Sequence, residues 1–138
     1  MSKKAVITVK SNISVEEDSI EVMTPGEFTV LKDGYKVEYE ETKLSGMEGT
    51  KTTMLIKEDS FELIRCGSTE TKMVFAKNNQ SISLYKTPYG TMSMTIDTKK
   101  ISIDVDETGG KIQILYILLV EDQQKIETNL VVNIKVKN

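Results

Sequence analysis

Period-two alternation of apolar and polar residues runs through almost the whole of this 138-residue chain, and a helical period of 3.6 appears almost nowhere. Tyr35, Val37 and Tyr39 alternate with Lys36, Glu38 and Glu40. Thr52, Met54 and Ile56 alternate with Lys51, Thr53 and Lys57. Met92, Met94 and Ile96 form one such run, and Ile101, Ile103 and Val105 another. Leu130, Val132, Ile134 and Val136 form a last one, against Asn129, Asn133 and Lys135. One apolar and one polar face per run is the pattern of an antiparallel sheet that is wet on one side.

Breakers punctuate these runs at short intervals. Thr24-Pro25-Gly26, Lys32-Asp33-Gly34, Ser45-Gly46-Met47-Glu48-Gly49, Lys57-Glu58-Asp59-Ser60, Lys77-Asn78-Asn79-Gln80 and Glu107-Thr108-Gly109-Gly110 all read as turns. The acidic Glu16-Glu17-Asp18 reads as a solvated loop between the first two strands. About ten short strands with hairpin-length links follow, in a single domain spanning residues 1–138. An open sheet of that size would leave two long edges exposed, and no amphipathic helix is available to cover its apolar face. Closure removes both difficulties, because the interior of the barrel becomes the core. The expected fold is an all-β, antiparallel, closed barrel of about eight to ten strands.

Composition narrows the chemistry. The chain has no histidine, which removes Ser-His-Asp and Cys-His catalysis and any histidine switch. The one cysteine, Cys66, rules out an internal disulfide framework and a Cys-rich zinc site. A net charge of −3 gives no general attraction to nucleic acid or anionic lipid. The apolar start of the chain is broken at once by Thr8, Lys10, Ser11 and Asn12, so it reads as a strand rather than an export signal. The run from Ile114 to Val120 is far shorter than the roughly 20 residues of a membrane helix. A cytoplasmic location is the expectation.

Some elements of the middle of the chain are distinctive in their order and spacing. Tyr39-Glu40-Glu41 precedes Thr50-Lys51-Thr52-Thr53-Met54, then Leu63-Ile64-Arg65-Cys66-Gly67 and Met73-Val74-Phe75. Tyr85-Lys86-Thr87-Pro88-Tyr89-Gly90, Thr98, Gly110-Lys111-Ile112 and Leu115-Tyr116 follow. This series resembles the YwiB-like family of small bacterial proteins of unknown function. The resemblance implies a calycin-type, lipocalin-like barrel. It implies no activity.

Arg65 is the only arginine beside 17 lysines, and it shares strand parity with Phe61 and Leu63, which points it at the barrel interior or rim. There it either holds a ligand acceptor through paired donors or serves as a structural, internally satisfied cation. Cys66 falls on the opposite face with no base to activate it, and reads as an inert thiol. Tyr85, Pro88, Tyr89 and Gly90 suit either a strand corner or a rim loop. Asp104 and Asp106 project from the polar side of their strand, and no metal or nucleotide motif surrounds them.

Met54, Met73, Met92 and Met94 all lie on apolar faces, where they either line a cavity or fill a solid core, the filled or nearly filled barrel being preferred. The leading functional expectation is a non-enzymatic protein that takes a small apolar or amphipathic molecule inside the barrel. Arg65 and the hydroxyls of Tyr35, Tyr39 and Tyr116 would be its polar anchors, Met54, Met73, Met92 and Met94 its apolar lining, with no cofactor and no metal. The second expectation is a filled interaction module, pairing as a homodimer or with another protein through the face of the strand from Ile114 to Val120, which is apolar on both sides.

Overall fold

The computed structural model describes residues 2–13, 19–41, 48–120 and 125–137. Glu16, Glu17 and Asp18, read above as a solvated loop, lie outside the described residues, as do residues 42–47. The described residues form ten strands and no helix: β1 (Ser2–Ile13), β2 (Ser19–Leu31), β3 (Gly34–Glu40), β4 (Thr50–Ile56), β5 (Ser60–Gly67), β6 (Glu70–Ala76), β7 (Gln80–Thr87), β8 (Gly90–Asp106), β9 (Gly109–Val120) and β10 (Ile126–Val136). Each strand pairs antiparallel with the next, and β1 pairs with β10, from Ala5↔Val136 to Ile13↔Thr128. The sheet is therefore a closed up-and-down barrel. No described helix is long and apolar enough to cross a membrane.

Alternation sets the inside face for most of the ring. Val37, Met54, Ile56, Phe61, Leu63, Phe75, Ile112, Ile114, Leu130 and Val132 are all buried. Their outward neighbours are cross-linked by charge: Lys51 Nζ lies 2.8 Å and Lys36 Nζ 3.4 Å from the Glu38 carboxylate. The largest rings gather at one end. Phe28 stacks on Tyr35 at 5.3 Å between centroids, and Phe61 lies 6.0 Å from Phe75. Aromatic pairs of this kind add about 0.5–1.5 kcal/mol beyond their burial.

Three local departures from simple alternation shape the barrel. Thr24-Pro25-Gly26 is not a turn: it runs through the middle of β2, where Pro25 pairs with Val6 and Gly26 with Ala5. Proline is tolerated here because β2 has no partner on its other side until Glu27 meets Glu38. At that point β3 closes on the strand, and a Cβ on Gly26 would sit 2.6 Å from the Glu38 carbonyl oxygen. The bend signal in the sequence is real, but it marks crowding between strands rather than a chain reversal.

The second departure lies in β8. The inward residues Met94, Ile96 and Thr98 have even numbers, and Ile101, Ile103 and Val105 odd ones. A bulge between Thr98 and Lys100 absorbs the extra residue, so two alternating runs become one 17-residue strand with a continuous inner face.

The third is the seam between β6 and β7. Only Glu70↔Lys86 and Thr71↔Tyr85 pair there. Beyond them, side chains replace the backbone ladder: the Ser83 hydroxyl donates to the Lys72 carbonyl and the Ser81 hydroxyl to the Val74 carbonyl, the latter at 3.2 Å. This turns β7 over. Ser81, Ser83 and Tyr85 take the inner side, leaving Ile82 78% and Leu84 55% exposed on the outer one.

Because the space beside Gly26 is bounded by backbone, Gly26→Ala should cost about 1–3 kcal/mol of stability through overpacking. Urea unfolding of the variant against the parent protein measures it.

Candidate functional site

The rows of the sheet change character along the barrel axis. Where β5, β7 and β9 finish, the inward residues become Thr24, Thr50, Thr52, Thr69, Thr71, Ser83 and Thr128, all buried. Threonine combines strand-forming β-branching with a hydroxyl that must find a partner. Thr50 Oγ1 lies 2.9 Å from Ser68 Oγ and accepts from the Thr69 N–H at 3.2 Å, while Thr71 Oγ1 faces Ser83 Oγ at 3.4 Å. Small side chains fill less of a cylinder than phenyl rings, and a cavity of about 300 Å³ remains at this end.

Arg65, Met73, Tyr85, Met92, Met94, Tyr116, Leu118 and Val120 line that cavity. The register explains why Arg65 belongs there. Tyr39, Thr52, Arg65, Thr71, Tyr85 and Met92 are successive cross-strand partners from β3 to β8, so one row carries the arginine, two tyrosines and a methionine. Tyr116 supplies the floor: its ring meets the edge of Phe75 with centroids 4.9 Å apart, joining the cavity to the filled half of the core.

Beside the cavity lies a buried ion pair. Glu41 follows β3, held by its N–H to the Thr50 carbonyl at 2.8 Å, and its carboxylate is almost wholly out of solvent. Thr52 Oγ1 donates to Glu41 Oε2. Arg65 Nε stands 3.7 Å from that same oxygen, close enough for charge attraction but beyond a hydrogen bond. The Nε–H is itself buried and makes no hydrogen bond. Burial holds both neighbouring phenols above their ordinary value. For Tyr39 the Glu41 carboxylate adds to the effect, while Arg65 and Thr52 work against it. For Tyr116, Arg65 and a hydrogen bond with Thr128 oppose burial.

The residues singled out in the sequence divide accordingly. Arg65, Tyr116, Met73, Met92 and Met94 come together around the cavity. Tyr39 contacts the Glu41–Arg65 pair without lining the cavity. Two do not belong. Tyr35 lies at the other end, against Phe28, and Met54 is sealed in the core. Parity places a residue on the inner face but does not say where on it: Tyr35 lies two inward rows from Arg65, and Met54 shares the row of Leu63 and Met73 yet stands away from the cavity wall. Tyr85, expected at a strand corner or in a rim loop, also lines the cavity, while Glu41, Leu118 and Val120 were missed. Leu118 and Val120 lie within the segment read as an outer contact face, whereas only Leu115, Ile117 and Leu119 take its outer side. Cys66 is exposed, away from the cavity. Among the described residues, no group of three acidic or cysteine side chains could hold a metal ion.

A closed ten-stranded meander with a partly polar cavity at one end defines an up-and-down β-barrel protein. The chain belongs to a family described as a domain of unknown function (DUF1934), which it matches over residues 7–132. It is 28% identical over 137 residues to the uncharacterized β-barrel protein YwiB of Bacillus subtilis strain 168, covering 96% of this chain and 94% of that protein. The crystal structure of the Bacillus subtilis ywiB protein superposes with a TM-score of 0.82 at 23% identity, covering 99% of this chain and 94% of that one. The shared fold is thereby fixed.

Folding keeps the Tyr39 and Tyr116 protons on, so the native state binds protons more tightly than the unfolded chain. Their contribution is complete below about pH 10, the unfolded tyrosine value, and is lost as pH rises from there toward the higher folded values. The urea midpoint should therefore fall above about pH 10, and Tyr39→Phe should flatten that fall. Tyrosinate absorbance during a pH titration should lose amplitude above about pH 10 in Tyr39→Phe and in Tyr116→Phe.

Proposed function

We propose that this chain is a non-enzymatic binding protein that holds a small apolar or amphipathic molecule in the polar end of its barrel, with Arg65 as anchor. The observation that carries this reading is the cavity itself. At about 300 Å³ it reaches the lower range of small-molecule pockets, and five of its eight lining residues are Met, Leu or Val. Three methionines let the wall adapt to the shape of an apolar guest. The polar groups around it are one guanidinium and two phenols, a set suited to orienting a ligand and lacking a nucleophile paired with a base. The balanced charge and single thiol suit the cytoplasm as its place of work.

A second reading, an interaction module, draws on the outer wall. Leu119 on β9 neighbours Thr95 on β8, which neighbours Ile82 on β7, so the outward Leu115, Ile117 and Leu119 lead toward the exposed Ile82 and Leu84. A second copy of the chain is the occupant this reading assigns to that wall.

Native mass spectrometry of gently purified protein tests the first reading. The expected result is a mass excess that disappears on denaturation, and Met92→Trp, which fills the cavity mouth, should abolish it with little change in melting temperature. An unadducted protein that also fails to take up apolar probes overturns it. For the second reading, sedimentation should show a dimer that Ile82→Glu dissociates at least tenfold; a monomer at all concentrations removes it.

A further inference from the structure

Resting on the reading of the cavity as a ligand site, we infer that Glu41 is its specificity-determining residue: as a built-in counter-ion it selects a guest with an uncharged acceptor head, such as an amide or ketone, over a carboxylate.

The argument is one of charge balance. Among the described residues, Arg65 is the only charged one that lines the cavity. On its own, a lone guanidinium in an apolar pocket would recruit an anion through paired donors. Glu41 changes that. Its carboxylate already stands 3.7 Å from Arg65 Nε and is buried, so the pair is neutral before any ligand arrives. A carboxylate guest would place a second negative charge beside a single cation, in a wall otherwise made of Met, Leu, Val and two tyrosines. Removing that charge from water is costly, and no further cation among the described lining residues repays it.

A neutral acceptor meets neither obstacle. Arginine carries five donors, while the single carboxylate beside it already accepts from Thr52 and interacts with the Tyr39 hydroxyl. The buried Nε–H without a hydrogen bond shows that the guanidinium is under-supplied with acceptors at its present spacing. A carbonyl oxygen adds an acceptor and leaves the net charge at zero. Its apolar tail then lies along Met73, Met92, Met94, Leu118 and Val120.

Octanamide and octanoate, matched in chain length, form the test, followed by NMR on the full chain at neutral pH through the methionine methyls and the Arg65 Nε–H signal. Octanamide should bind the parent protein at least tenfold more tightly. In Glu41→Gln, where the counter-charge is gone, octanoate should gain at least tenfold relative to octanamide; Glu41→Asp, which withdraws the carboxylate, should shift the ratio the same way by less and serves if the first variant does not fold. Octanoate equalling octanamide on the parent protein, or an unchanged ratio in both variants, overturns the role of Glu41 while leaving interior binding intact. If neither probe moves the cavity methyls, the binding reading itself falls.

Discussion

A sheet closed on itself must fill its own interior, and everything distinctive about this protein follows from how ten strands meet that demand. Barrel diameter grows with strand number, and about eight strands already give an interior that side chains just fill. Ten strands enclose more. The chain has three phenylalanines and no tryptophan, and it spends all three phenyl rings at one end, where Phe28, Phe61 and Phe75 are fully buried. At the other end the inward positions go to threonine and serine, whose hydroxyls need partners and whose volumes leave room. The cavity is the volume that this uneven distribution does not fill.

The same end carries the only buried ion pair among the described residues. Breaking such a pair by removing one partner typically costs about 3–5 kcal/mol, although the intact pair adds little over an apolar replacement. Its retention is therefore poorly explained by stability. Around it, Thr52, Tyr39, Thr128 and Tyr116 form a hydroxyl shell, and burial keeps the two phenols protonated. Among the described residues, buried threonine and serine hydroxyls are thus concentrated on the few rows beside the cavity, while the packed half is mainly apolar, a division of labour between stability and recognition within one cylinder.

The inner face was legible wherever alternation was regular, as in β3, β4, β5 and β10, because the pleat leaves a side chain only two directions. It failed for identifiable reasons. Pro25-Gly26 reads as a turn since both residues favour one, yet here they answer to a missing neighbour and a close carbonyl. In β7 the hydrophobic choice, Ile82 and Leu84, is the outer one, because serine hydroxyls stitch this strand to β6 from the inner side. Nothing in the sequence sets Glu41 apart from Glu40; only its position opposite Thr50, beside Thr52 and Arg65, removes it from water. Tyr35 and Met54 were placed on the correct face but not beside the cavity, since position on that face depends on register and on place around the ring, which only the pairing of strands defines.

The pairing of β1 with β10 has a bearing on how the molecule comes into being. Every other neighbouring pair is joined by a hairpin and can form locally, but Ala5 and Val136 are partners separated by nearly the entire chain. Contacts of that kind demand the largest loss of chain freedom before they return anything, and they slow folding. Until β10 has emerged from the ribosome, β1 and β9 are both raw edges with apolar inner faces, able to pair with any passing strand. β10 therefore acts as the clasp of the cylinder, and the growing chain is most exposed to aggregation in the interval before that strand arrives.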